Sequence, residues 1–114
     1  MKVCIFGLGR IGLPIALVCA DSDYKVVGID INEKMVNCLK KAKAPFEEPG
    51  MEELLKKNLN KNFHPKNPNV DNVTQDLEQA DYIILAVGTR FAKYPDNQSF
   101  PCFIQLLVKL YRLV

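Results

Sequence analysis

Two kinds of stretch take turns along this chain. Short apolar runs alternate with longer segments in which apolar residues recur every three or four positions. Residues 3–6, Val3-Cys4-Ile5-Phe6, form the first run, and residues 25–30, Lys25-Val26-Val27-Gly28-Ile29-Asp30, the second. Runs without polar alternation are expected of strands covered on both faces. Residues 70–73 give a brief third strand pattern, and residues 82–87, Tyr82-Ile83-Ile84-Leu85-Ala86-Val87, the strongest one. Helices are predicted between them. The first covers about 11–21, with Pro14 in its first turn, where a missing N–H costs little. The second starts at an Asn32 cap and lines up Met35, Leu39 and Ala42. The third covers about 51–60, with Met51, Leu54, Leu55 and Asn58 on one face. A brief fourth covers 75–80 behind a Thr74 cap.

Prolines and a glycine make 44–50 a loop, and 61–69 reads as a polar loop in which His64 is solvated. Gly88-Thr89-Arg90 breaks the last strand pattern. A final helix is predicted behind Ser99, and within 103–114 only Gln105, Lys109 and Arg112 are polar.

Strands that alternate with helices imply an α/β fold with a parallel sheet and right-handed crossovers. The expectation is a Rossmann-type open sheet of order about 3-2-1-4, with helices on both faces and one edge left incomplete. One domain over residues 1–114 suffices for this length. An uncovered fourth strand and an apolar last helix predict self-association to a dimer or larger.

The chemistry lies where the first strand meets the first helix. Gly7-Leu8-Gly9-Arg10-Ile11-Gly12 has the spacing of a dinucleotide-binding turn. Gly7 makes the tight turn, Gly9 lets a pyrophosphate approach the backbone, and Gly12 lets the helix pack on the strand. The helix start adds unpaired N–H groups and a partial positive charge. Asp30 ends the second strand about 20 residues beyond the glycines, where a carboxylate accepts hydrogen bonds from the adenosine ribose. Capping of the next helix is the competing role for Asp30, and the complete glycine pattern favours the ribose. Its charge repels a 2′-phosphate and no Arg follows it directly, so the expected cofactor is NAD rather than NADP. Lys34 either reaches the adenosine end or is a solvated surface lysine. Thr89, beyond the carboxyl end of the fourth strand, either meets the cofactor or only shapes the turn.

Composition narrows the field. Apolar residues make up 48% and charged residues 25%, ordinary for a globular chain, and the net charge of +2 has no basic, aromatic-interleaved run behind it. Nucleic acid is therefore not an expected partner. Lys40, Lys41, Lys43, Lys56, Lys57, Lys61 and Lys66 read as solvated helix ends. No run is long enough for a membrane span and no secretory signal pattern opens the chain, so a cytoplasmic, membrane-free protein is expected. Cys4, Cys19, Cys38 and Cys102 show neither paired nor metal-binding spacing and read as small buried hydrophobes.

Four stretches together resemble the UDP-glucose/GDP-mannose dehydrogenase family over roughly residues 1 to 100. They are the opening segment through Pro14, Gly28-Ile29-Asp30-Ile31-Asn32-Glu33-Lys34, Glu48-Pro49-Gly50-Met51-Glu52-Glu53-Leu54, and Ala86-Val87-Gly88-Thr89. The resemblance implies oxidation of a UDP-sugar C6 alcohol to the uronate with NAD, on UDP-glucose or its N-acetylmannosamine counterpart. It places Gly7, Gly9, Arg10, Ile11 and Gly12 on the pyrophosphate, Asp30 on the ribose, Lys34 near it, and Val87 and Thr89 toward the reacting end. Arg90 stands where the family usually has Pro. The family's nucleophilic cysteine, its helpers and its sugar-binding domain match no part of this chain, and Cys102 lacks that context. The expectation is a partial domain that binds NAD without catalysis. The alternative is a regulatory nucleotide-sensing domain of the kind that gates potassium transport. Such domains run from the second helix straight into a third strand, whereas Glu48-Pro49-Gly50 and an extra helix intervene here.

Overall fold

The computed structural model describes residues 1–86 of the 114. Val87, Thr89, Arg90, Cys102 and the final helix expected behind Ser99 lie outside the described residues. The elements run β1 (Lys2–Phe6), α1 (Gly12–Asp21), β2 (Lys25–Ile29), α2 (Glu33–Lys40), α3 (Met51–Asn58), β3 (Phe63–Lys66), α4 (Thr74–Gln79) and β4 (Tyr82–Leu85). The strands form one parallel sheet of order β3-β2-β1-β4, as the alternation of elements predicts.

The two central strands sort their side chains by the period of two. Val3, Ile5 and Val26 face α1 and α3 and join Leu13, Ala16, Leu17, Ala20, Met51 and Leu55 in the larger core. Cys4, Phe6, Val27 and Ile29 face the other way, toward Val73, Leu77 and Ala80 around α4. Both faces are covered, so these strands carry no polar alternation. β4 pairs with β1 alone among the described residues, and its Tyr82, Ile83 and Leu85 remain exposed.

The third strand departs from expectation. It is Phe63–Lys66, inside the stretch that reads as a polar loop, while 70–73 forms no strand. Pro65 hides it from pattern reading, because proline is rare in strands. β3 lies at the sheet edge, however. The Val26 N–H donates to Asn62 O at 2.7 Å and the Asp30 N–H to Lys66 O at 3.2 Å. The even-numbered residues therefore face β2, and Pro65 turns its missing N–H outward. His64 is a half-buried strand residue whose ring meets Lys61 O at 3.2 Å. Around Asn67 the chain turns instead of extending: the Asp71 N–H donates to Asn67 O at 2.7 Å, and Val70 is exposed.

The helix boundaries also shift. α2 buries Val36 and Leu39, with Met35 packed beside them, and ends at Lys40. Ala42 lies past its end with a φ of 60°. α3 ends at Asn58, and its face holds Met51, Leu55 and Asn58, with Leu54 packed beside them. Thr74 is the first residue of α4 rather than its cap, and Asn72 Oδ1 accepts the Thr74 N–H at 3.0 Å. Lys66 and Lys40 are not simply solvated, since they pair with Asp76 at 2.6 Å and Asp71 at 2.9 Å.

Candidate functional site

The strand order places a topological switch between β1 and β4. In open α/β sheets ligands bind beyond the carboxyl ends of the strands at such a point. The glycine turn leaves β1 there. Gly7 holds a φ of 96°, a left-handed conformation that side chains resist, and its N–H donates to Ile29 O at 2.8 Å. Leu8 is fully buried. Gly28 on β2 makes room for it, since a Cβ there would lie 2.7 Å from Leu8 Cδ2 and 2.9 Å from Phe63 Cε1.

The other two glycines contrast sharply. A Cβ on Gly12 would lie 1.7 Å from Gly7 O, so the turn and the start of α1 cannot close together with any side chain there. A Cβ on Gly9 would meet nothing within 4 Å. Glycine at position 9 therefore keeps space open rather than satisfying the fold, which suits the close approach of a phosphate. α1 begins at Gly12 without a side-chain cap and, unlike the other described helices, with no acidic residue in its first turn. The Leu13 N–H donates to Gly9 O at 3.0 Å and Pro14 has no N–H, so the Gly12 N–H and the positive end of the helix are what remain for an anion. The residues present thus fit a dinucleotide.

Asp30 follows β2 and does not cap α2. Asn32 does so, accepting the Met35 N–H at 3.2 Å. The Asp30 carboxylate instead joins two backbone segments: Oδ2 accepts the Leu8 N–H at 2.8 Å and Oδ1 the Asn32 N–H at 2.8 Å. Each oxygen keeps acceptor capacity for a ribose hydroxyl. Gly7, Gly9, Gly12 and Asp30 are thereby brought together. Arg10 and Ile11 are exposed at the turn, and the Arg10 guanidinium stands 5.2 Å from the centroid of the Phe46 ring. Lys34 is exposed in the first turn of α2, with no hydrogen bond or ion pair from its side chain among the described residues.

Sequence reasoning missed the supports. Asn67, 2% exposed, donates from Nδ2 to Ile31 O at 3.2 Å and so fixes the chain just past Asp30. Its signal was faint, one asparagine in the turn-rich Pro65-Lys66-Asn67-Pro68-Asn69. Glu48-Pro49-Gly50-Met51 forms a turn in which the Met51 N–H donates to Glu48 O at 3.2 Å and Gly50 takes φ 81°, ψ −9°. Proline second and glycine third is the type II arrangement, and it delivers the chain into α3.

On the far face of the sheet, Asp76 accepts Lys2 Nζ at 3.0 Å and Lys66 Nζ at 2.6 Å. Burial opposes ionisation of Asp76, but these two hydrogen bonds outweigh it and hold its pKa below the ordinary value. Burial, followed by the nearby Asp76 charge, pushes the Cys4 thiol up to about 11. Among the described residues no group of three or more His, Cys, Asp or Glu is placed to hold a metal, and no helix is long and apolar enough to cross a membrane.

A parallel sheet, an open glycine turn at its switch point and an acid at the end of β2 define a dinucleotide-binding domain of the Rossmann class. Residues 1–99 match the UDP-glucose/GDP-mannose dehydrogenase family, NAD binding domain, and the chain belongs to that family. It is 44% identical over 99 residues to a UDP-N-acetyl-D-mannosamine dehydrogenase of Methanococcus maripaludis, covering 86% of this chain and 21% of that protein. The chain thus spans about a fifth of the length of the curated relatives it matches. Among solved structures, a UDP-D-ManNAc dehydrogenase from Pyrococcus horikoshii superposes with a TM-score of 0.76 at 25% identity, covering 96% of this chain and 25% of that one. A UDP-glucose dehydrogenase from Pyrobaculum islandicum gives 0.74 at 25% identity, covering 96% and 24%.

Proposed function

We propose that residues 1–114 form the part of a nucleotide-sugar dehydrogenase that holds NAD, and that the isolated chain binds the cofactor without turning over a sugar. One observation carries this reading: Gly9 leaves open space at the turn that Gly12 and Asp30 otherwise hold shut. In this arrangement the backbone of Gly7, Gly9, Arg10, Ile11 and Gly12 lines the pyrophosphate, and Asp30 accepts the ribose hydroxyls. Lys34 stands near the adenosine end. Val87 and Thr89, outside the described residues, are assigned to the reacting end by their place in the Ala86-Val87-Gly88-Thr89 motif. When bound, NAD supplies the hydride acceptor for alcohol oxidation.

The proposed substrate of the whole enzyme is a UDP-sugar oxidised at C6, either UDP-glucose or UDP-N-acetylmannosamine. The relative of highest identity given above favours the second. The absence of turnover is supported by the thiols described. Cys4 is buried with a raised pKa, Cys19 lies at the opposite end of α1 from the glycine turn, and Cys38 lies toward the end of α2 that is remote from Asp30. We also propose self-association, supported by exposed Ile11 in the glycine turn, Ile15 and Val18 on α1, and Tyr82, Ile83 and Leu85 on β4. Light scattering at high concentration tests it, and a clean monomer removes it.

Titration of NADH fluorescence tests the central reading. Saturable binding of NADH, weaker binding of NADPH and no reduction of NAD with either UDP-sugar are expected. Equal affinity for NADH and NADPH contradicts the role of Asp30, and turnover of a UDP-sugar contradicts the division of labour.

A further inference from the structure

We propose that Phe46 is a positioning residue for the dinucleotide phosphates and acts through Arg10. The inference rests on the dinucleotide reading above and goes one step past it. Arg10 sits in the glycine turn between Gly9 and Ile11, and its guanidinium lies over the Phe46 ring at 5.2 Å from the centroid. No carboxylate pairs with Arg10 among the described residues. Acids do share the hollow beside the ring: Glu47, Glu48 and Glu52 line a space of about 570 Å³ together with Ala44, Phe46 and Pro49. The ring, rather than a counter-ion, is what the guanidinium meets.

That choice has chemical consequences. A carboxylate would take Arg10 by its paired N–H groups and cancel its charge. An aromatic face attracts the cation without using any of its five N–H donors. Arg10 is therefore held beside the open space at Gly9 with charge and donors still available to a phosphate. Phe46 can serve as a fixed platform because it is itself anchored. It packs against the larger core, and the turn that follows it leads into α3, whose Met51 and Leu55 are buried in that core. This also gives the loop 44–50 a function at the cofactor site.

The test is NADH titration of the full chain at two salt concentrations. The variants are Phe46→Leu, Phe46→Tyr, Arg10→Ala and the double Phe46→Leu/Arg10→Ala. Leucine keeps the apolar packing and removes the ring, so folding is preserved. Phe46→Leu is expected to weaken NADH about threefold, and Phe46→Tyr to restore it. Arg10→Ala is expected to weaken binding about tenfold and flatten its salt dependence, with no further loss in the double variant. A threefold loss that persists when Arg10 is absent shows that Phe46 acts only through packing and overturns the proposal. So does wild-type affinity in Phe46→Leu. Failure of the wild-type chain to bind NADH is a different result and removes the dinucleotide reading itself.

Discussion

The Asp30 carboxylate accepts the Leu8 N–H at 2.8 Å, so the acid that ends β2 is also a structural part of the turn that leaves β1. One side chain shapes the cradle and presents the acceptor for its ligand. Asp30→Ala should therefore lose both contributions. Charge-assisted hydrogen bonds are worth about 1.5–3 kcal/mol, so NADH affinity should fall about tenfold to a hundredfold. Asp30→Asn keeps an oxygen for Leu8 but loses charge, and should fall less. Fluorescence titration of both variants checks this. Equal affinity in wild type and Asp30→Ala would remove the ribose role.

The contrast between Gly9 and Gly12 gives a second, sharper experiment. A methyl group at Gly12 has no room, being 1.7 Å from Gly7 O, so Gly12→Ala must displace α1 from the turn. Overpacking of this kind costs about 1–3 kcal/mol or more, and Tm should drop by several degrees. A methyl group at Gly9 meets nothing, so Gly9→Ala should leave the Tm of the free chain within about 1 °C while weakening NADH. Thermal melts with and without NADH separate the two. A Gly9→Ala variant that binds normally would show that the open space is not used.

Much of this was legible in the sequence, for a physical reason. β1 and β2 are buried on both faces, so their apolar runs have no other stable use, and the glycine spacing fixes the turn between β1 and α1. Placement of β3 was not legible. Pro65 is acceptable only because β3 is an edge strand, which is a fact of topology and not of local pattern. The long-range partners were hidden as well. Lys66 reads as one solvated lysine among several until the fold brings Asp76 to it, and Phe46 reads as a loop residue until the glycine turn puts Arg10 over its ring.

Asp76 contributes to the acid limb of stability. Its pKa is lowered from 3.8 in the folded chain, so the unfolded chain binds its proton more readily. The contribution is fully present above that unfolded value and is lost as pH falls through the lower folded value. Asp71, lowered chiefly by the hydrogen bond from Lys40, acts in the same direction, though it is more exposed and contributes less. Denaturant melts from pH 7 down to pH 2.5 should show stability declining below about pH 4. Asp76→Asn should cost about 1–2 kcal/mol at pH 7 and flatten that decline, because Lys2 and Lys66 lose their shared partner. An unchanged acid limb in Asp76→Asn would assign the decline to other groups.

Cys4 offers a test of the far side of the sheet that needs no substitution. Its thiol is fully buried, donates to Asp76 O at 3.4 Å, and is pushed up to about 11. Thiolate is the reactive form, so at pH 8 both burial and pKa protect it. Cys19 and Cys38 are only half-buried, on α1 and α2. Brief alkylation of the native chain, mapped by mass spectrometry, should label Cys19 and Cys38 well before Cys4, while denatured chain should label all three alike. Asp76→Asn links this to the previous experiment. If the contacts of α4 with Lys2 and Lys66 keep α4 seated over β1, the variant should label Cys4 faster than wild type as α4 opens more often. Unchanged protection in that variant would show that Val73, Leu77 and Ala80 hold α4 in place without the ion pairs.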